Sequence, residues 1–130
     1  MSTPRWNRPL TELPAACDVL VVGAGPAGSA CARWLAQAGV GVVLVDARAF
    51  PRDKVCGDGL VPDTLAALRR LGLHDAVMAR ARSVGFARCV APSRQSIDVP
   101  GELAVLPRRD LDALLCRAAV DAGADLFAPV

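Results

Sequence analysis

Three glycines, Gly23, Gly25 and Gly28, stand in the spacing G-x-G-x-x-G, and Asp46 follows about 20 residues downstream. The residue types fit one task. The first glycine permits a tight turn, the second lets backbone approach a diphosphate, and the third lets a helix pack close to a strand. Pro26 and Ala27 fill the rest of the turn. The free N–H groups and positive dipole end of a helix starting there would hold phosphate, and Asp46 could accept hydrogen bonds from both hydroxyls of an adenosine ribose. Ala47 and Arg48 follow the acid directly. An acid at that position disfavours a 2′-phosphate, so NADP fits it poorly, while FAD and NAD both remain open.

The pattern acquires meaning only if the right elements carry it. Val19 to Val22 is a short apolar run rich in β-branched residues, suited to a parallel strand covered on both faces. From Pro26 to Ala38 the period changes, with Gly28, Cys31, Ala32, Leu35 and Gly39 at helical spacing. Pro26 is tolerated in a first helical turn and Gly39 is a natural stop. Val42 to Val45 forms a second buried strand, which completes a β-α-β unit. The plainer reading, three turn glycines and a capping aspartate in an ordinary α/β domain, requires acid, strands and spacing to coincide.

The remaining chain gives a loop from Phe50 to Leu60, a helix from Pro62 to Leu71 ended by Gly72, and two short strands within Val84 to Val99 around Pro92 and Ser93. A last helix, about Arg108 to Ala122, places Leu111, Leu114, Leu115, Ala118 and Ala119 on one face, and Ala124 to Phe127 begins another strand. The expected class is therefore α/β: a Rossmann-type FAD/NAD(P)-binding β-α-β unit with a parallel sheet, plus a short β-hairpin. Residues 1–17 hold three prolines and no apolar run, and read as a disordered or extended lead-in to a domain spanning 18–130.

Bulk properties exclude several other classes. The 130 residues can bury one modest core, and 53% hydrophobic against 22% charged residues is a globular composition. A net charge of +2, from 15 basic and 13 acidic residues interspersed, gives little support to nucleic acid or a membrane surface as partner. Five cysteines without any metal-ligand spacing read as reduced thiols of a cytoplasmic protein, with no metal site. No window approaches a membrane span. His74, the only histidine, follows a Gly-Leu turn and reads as a surface residue without an acid–base partner. Asp58 reads equally as a turn residue, and Met78 and the two tryptophans carry no specific signal.

"DVLVVGAGPAGSACARWLAQAG", followed by "VDARAFPRDKVCGDGL" and later "LPRRDLDALLCRAAVDAGA", resembles the amino-terminal part of the geranylgeranyl reductase family of FAD-dependent oxidoreductases, within the wider group similar to para-hydroxybenzoate hydroxylase. The likeness spans about Asp18 to Val130. Many flavoproteins share the glycine pattern; an arginine two places after the acid followed by K-x-C-G-x-G-L is much narrower. The resemblance implies FAD, with adenosine ribose on Asp46 and diphosphate over Gly23 to Gly28. It implies that Cys56, Gly57 and Gly59 run beside the flavin ring, where glycines avoid a Cβ collision. Arg48 and Arg52 could neutralise the diphosphate. The family's flavin-contacting arginine at the last helix corresponds by spacing to Arg108 better than to Arg109.

Function read this way is reduction of isoprenoid double bonds, with NAD(P)H as the electron donor and Cys56 the one weak candidate for a proton donor. On its own Cys56 reads more readily as a small packed side chain than as a reactive thiol, since nothing marks it as reactive. Two alternatives share the fold: hydroxylation or halogenation of an aromatic substrate, and a non-catalytic FAD-binding fragment. The family pattern continues beyond these residues with a glycine-aspartate motif and a substrate-covering sheet, so the chain reads as an incomplete domain, inactive alone, that needs another chain or a C-terminal region to complete its fold. Marginal solubility is the corresponding expectation.

Overall fold

A computed structural model describes residues 6–130. They form two compact units, one made of the residues up to Lys54 together with Arg108–Val130, the other of Val55–Pro107.

The first unit is built on a parallel sheet of β1 (Val19–Val22), β2 (Val42–Val45) and β6 (Asp125–Phe127) in the order β1-β2-β6. Val19 pairs with Val42 and Val22 with Val45, while Val43 to Val45 pair with Asp125 to Phe127. Helices α1 (Pro26–Gln37) and α4 (Arg108–Asp121) pack against each other. Alternation along β2 sends Val42 and Leu44 into the main core with Ala32, Cys116, Ala119 and Leu126, and sends Val43 and Val45 to a smaller cluster with Phe127.

β2 is thus covered on both faces, as the sequence implied, but β1 is not. Leu20 is 53% exposed and Val22 78% exposed, because β1 is an edge strand and only its Val21 side meets the core. On α1 the buried positions are Ser29 and Ala32, while Cys31, expected inward, lies outside. α4 buries a broad face, with Asp112 and Cys116 inside alongside Leu111 and Leu115, and leaves Asp110, Arg117 and Asp121 exposed on the other.

The lead-in is attached where it is described; residues 1–5 lie outside the described part. Arg8 bridges β6, its N–H donating to Leu126 O (2.8 Å) and its carbonyl accepting from Ala128 N (3.1 Å). Asn7 Nδ2 donates to Phe50 O and Phe50 N–H to Asn7 Oδ1, at 2.6 and 3.0 Å. Trp6 meets the Phe50 ring edge-on, centroids 6.0 Å apart, and Arg117 lies over the indole. A Pro-rich composition hides these anchors because each is a single side chain with no periodicity around it.

In the second unit β3 (Gly59–Leu60), β5 (Ser96–Val105) and β4 (Arg82–Val90) make an antiparallel sheet in the order β3-β5-β4, with α2 (Pro62–Arg70) packed on β5 and on the short α3 (His74–Met78). The hairpin is longer than the pattern implied, and turns at residues 91–95 through Ala91 N–H to Gln95 O and Arg94 N–H to Ala91 O, both 2.8 Å. Its polar and apolar residues are nearly all exposed, so burial contributes no alternation from which its length could be read. β3 lies within the stretch expected as a loop, and α3 follows the expected Gly-Leu turn without having been expected itself. α1, α2 and α4 close with the same pair of bonds: Gly39, Gly72 and Gly123 donate back three residues, and Val40, Leu73 and Ala124 donate back five.

Candidate functional site

The glycine turn joins β1 to α1. Gly23 adopts φ +97° and donates to Val45 O at 2.8 Å, which ties the end of β1 to the end of β2. A Cβ on Gly28 would lie 1.9 Å from Gly23 O, so only glycine lets the helix approach the strand this closely. Gly25 is the N-cap of α1, and no side chain caps its first turn. Pro26 has no N–H to offer, Ala27 is exposed, and the leading amides of a helix lack partners within it. The space beside Gly25 is open except for Arg52 Nη2, 3.7 Å from where a Cβ would stand.

Asp46 extends β2 and faces this turn. Its Oδ2 accepts from Ala24 N–H at 2.9 Å and its Oδ1 from Arg48 N–H at 3.1 Å. The second contact explains the place of Ala47 and Arg48: they carry the backbone around the carboxylate, and both residues are exposed. The turn is further fixed by Ser29, fully buried, whose Oγ donates to Ala24 O at 3.0 Å. Beside it, burial pushes the Cys116 thiol up to about 12, against a smaller opposite effect of its hydrogen bond with Ser29.

Arg52 and Asp112 join the site in a way that sequence reasoning missed. Arg52 Nε and Nη2 each lie 3.3 Å from Asp46, and Nη1 lies 3.0 Å from Asp112 Oδ2. Asp112, fully buried, also receives Arg108 through two nitrogens, at 2.6 and 3.0 Å. The guanidinium of Arg52 rests over the Phe50 ring, 4.7 Å from its centroid. Arg109 points elsewhere, exposed and 3.4 Å from Asp53. In the sequence Asp112 is, with Asp110, one of two acids in the first turns of the last helix. The signal that could have found it is its spacing of four from Arg108, together with a place among Leu111 and Leu115 on the inward stripe.

Gly23, Gly25, Pro26, Ala27, Gly28, Asp46, Ala47, Arg48 and Arg108 therefore share one unit. Cys56, Gly57 and Gly59 belong to the other and are exposed, and a Cβ on either glycine would meet nothing of this chain. The intervening Asp58 adopts φ +58° and its carbonyl accepts from Leu106 N–H at 3.0 Å, as a turn residue does. His74 departs from expectation. It is only 20% exposed, with Nδ1 3.0 Å from Asp75 and Nε2 3.8 Å from Glu102, which also receives Arg69. α3 turns the ring onto β5, a consequence of a helix too short for its period to be seen.

These features, an uncapped helix start, a backbone turn stripped of Cβ atoms and a carboxylate aimed at it, fit a dinucleotide. The family of FAD-binding domains matches residues 16–129. The chain belongs to the FAD-binding domain family. It is 46% identical over 115 residues to the menaquinone reductase of Mycolicibacterium smegmatis, covering 85% of this chain and 28% of that one. Among solved structures, the myxobacterial chondrochloren halogenase CndH superposes with a TM-score of 0.78 at 26% identity, over 87% of this chain and 28% of the halogenase. A geranylgeranyl bacteriochlorophyll reductase-like protein of Thermoplasma acidophilum gives 0.72 at 32% identity, over 85% and 29%. The chain thus spans a little over a quarter of the proteins it matches. As an FAD-binding domain it carries the mixed α/β fold with a parallel sheet that the sequence implied. No helix among the described residues is long and apolar enough to cross a membrane.

Proposed function

We propose that this chain forms the FAD-holding portion of a flavin-dependent reductase that saturates double bonds in an isoprenoid chain. The observation that carries the reading is the bond from Ala24 N–H to Asp46 Oδ2, which sets a ribose-accepting carboxylate against the helix start that accepts phosphate. The amides of Ala27 and Gly28 hold the diphosphate, Gly25 gives it room, and Asp46 takes the ribose hydroxyls with Ala47 and Arg48 keeping its backbone turned. Arg108 and Arg52 supply positive charge. FAD held there would, once reduced, supply the hydride-donor chemistry that saturation of an alkene requires.

The substrate class rests on the relatives: menaquinone carries an isoprenoid chain, and the geranylgeranyl reductase likeness was present in the motifs. NAD(P)H is proposed as electron donor, and the cytoplasm as location on the strength of five cysteines all present as thiols. The exposed Leu20 and Val22 support completion of the sheet by further polypeptide. For Cys56, Gly57 and Gly59 the support is the motif alone, and unchanged turnover of Cys56→Ser in a full-length enzyme removes Cys56 from the proton step.

The test has two stages. Titration of the chain with FAD, followed by flavin fluorescence, shows saturable binding, and its absence refutes the site. Anaerobic reduction of a polyprenyl quinone by a full-length enzyme then identifies the reaction. The likeness to CndH favours a second reading, oxygen-dependent halogenation or hydroxylation of an aromatic substrate. Substrate-dependent oxygen uptake coupled to NADPH oxidation selects it over the first.

A further inference from the structure

We propose that Asp112 is a positioning residue for dinucleotide binding, holding Arg52 across the cradle between Gly25 and Asp46 while it fixes Arg108 at the start of α4. The inference rests on the FAD reading above. A carboxylate with no exposure is costly unless its oxygens are satisfied by charge, and here both are: Oδ1 takes Arg108 Nε at 2.6 Å, and Oδ2 takes Arg108 Nη2 and Arg52 Nη1, each at 3.0 Å. Arg108 is gripped through two nitrogens, which fixes the plane of its guanidinium. Arg52 is gripped through one, with its opposite edge on Asp46.

The two ends of Arg52 are not equivalent. Its contacts to Asp46 are both 3.3 Å and that to Asp112 is 3.0 Å, and Asp112 is the more deeply buried of the two acids. Ribose hydroxyls compete for the same Asp46 oxygens. When they take them, Nε and Nη2 are released while Nη1 remains on Asp112. The freed edge then lies beside Gly25, where Nη2 already stands 3.7 Å from the Cβ position and where a diphosphate needs a counter-charge. Asp112 therefore converts a guanidinium that guards the ribose carboxylate into one that serves the phosphates, and never touches the ligand itself. A side chain that merely anchored α4 would need Arg108 only, and would not reach across to the segment after β2.

The test is a binding cycle on the chain with FAD and ADP as probes, using Asp112→Asn, Arg52→Gln and the two combined, with adenosine as the phosphate-free control. Asp112→Asn and Arg52→Gln each weaken FAD and ADP by about tenfold, the combination is no more than about twofold weaker than either alone, and adenosine, which only competes with Arg52 for Asp46, is not weakened. Two factors that multiply to about a hundredfold, or FAD bound by Asp112→Asn as tightly as by the unaltered chain, overturn the inference. If Asp112→Asn does not fold, Arg52→Lys replaces it: one nitrogen cannot serve both acids, so FAD again weakens by about tenfold, and unchanged affinity overturns the inference. An unaltered chain that binds neither FAD nor ADP refutes the cofactor reading instead. The tether is then judged from the Nη–H resonances of Arg52 and the Nε–H resonance of Arg108, which are slowed in exchange by Asp112 and lose that protection in Asp112→Asn; protection that persists overturns it.

Discussion

Gly25 and Gly28 sit three residues apart in one turn, yet substituting them by alanine tests different things. At Gly28 the new Cβ would stand 1.9 Å from Gly23 O, where real Cβ contacts essentially never fall under 3.0 Å, so helix and strand must part by about an ångström. Overpacking of this kind costs about 3 kcal/mol when backbone rather than a flexible side chain must move, less up to about 1 kcal/mol regained from alanine's better helix propensity. Gly28→Ala should therefore lower the melting temperature by roughly 5–10 °C for a chain of this size. At Gly25 the backbone has φ −71°, open to any residue, and the nearest neighbour is the end of Arg52 at 3.7 Å. The fold loses only about 0.5 kcal/mol there, from a poorer N-cap, or roughly 2 °C. The same methyl group occupies the space assigned to the diphosphate, so FAD affinity should fall tenfold or more, equivalent to about 1.4 kcal/mol. Differential scanning fluorimetry without ligand and FAD titration by fluorescence quenching give the two numbers. Gly25→Ala binding FAD as tightly as the unaltered chain refutes the diphosphate position, and Gly28→Ala melting unchanged refutes the packing argument.

Asp46→Ala leaves the buried Ala24 N–H without its acceptor and should cost about 1–3 kcal/mol of stability as well as FAD binding, whereas Asp46→Asn keeps an acceptor and should lose binding more than stability. Cys116 should resist a thiol reagent at pH 8 until the chain unfolds, while Cys17, Cys31, Cys56 and Cys89, all exposed, react at once. Its thiol ionises in the folded chain only near pH 12 but in the unfolded chain near 9, so its contribution is intact below pH 9 and is lost as pH rises toward 12, by up to about 1.4 kcal/mol per pH unit; a Cys116→Ala variant should show a shallower alkaline decline in urea midpoint. Leu20→Lys combined with Val22→Glu should reduce self-association in light scattering without altering the circular dichroism spectrum, since both side chains already face solvent.

The elements that hold the candidate site were legible because they are local. The run from Val19 to Val22, the glycine spacing, Pro26 and the stop at Gly39 each state a backbone requirement within a few residues, and Asp46 stands where a strand end must put it. The pairing of Asp46 with Arg52 was not legible, since an arginine near an acid in sequence serves a ligand or a neighbour with equal ease. Asp112 was hidden for another reason: helical period marks it as inward, and an inward acid becomes sensible only when partners 4 and 60 residues away are seen around it. Trp6, Asn7 and His74 escaped because their partners come from distant strands and loops.

The bridge made by Arg8 has a directional effect on the parallel sheet. By pairing with Leu126 and Ala128 it occupies the outer rim of the three-residue β6, so lateral growth on that flank requires Arg8 to be expelled first. Val19–Val22 has no such guard among the described residues. Any additional strand, from whatever polypeptide, is therefore steered to the free flank of β1, the strand that runs directly into the glycine turn.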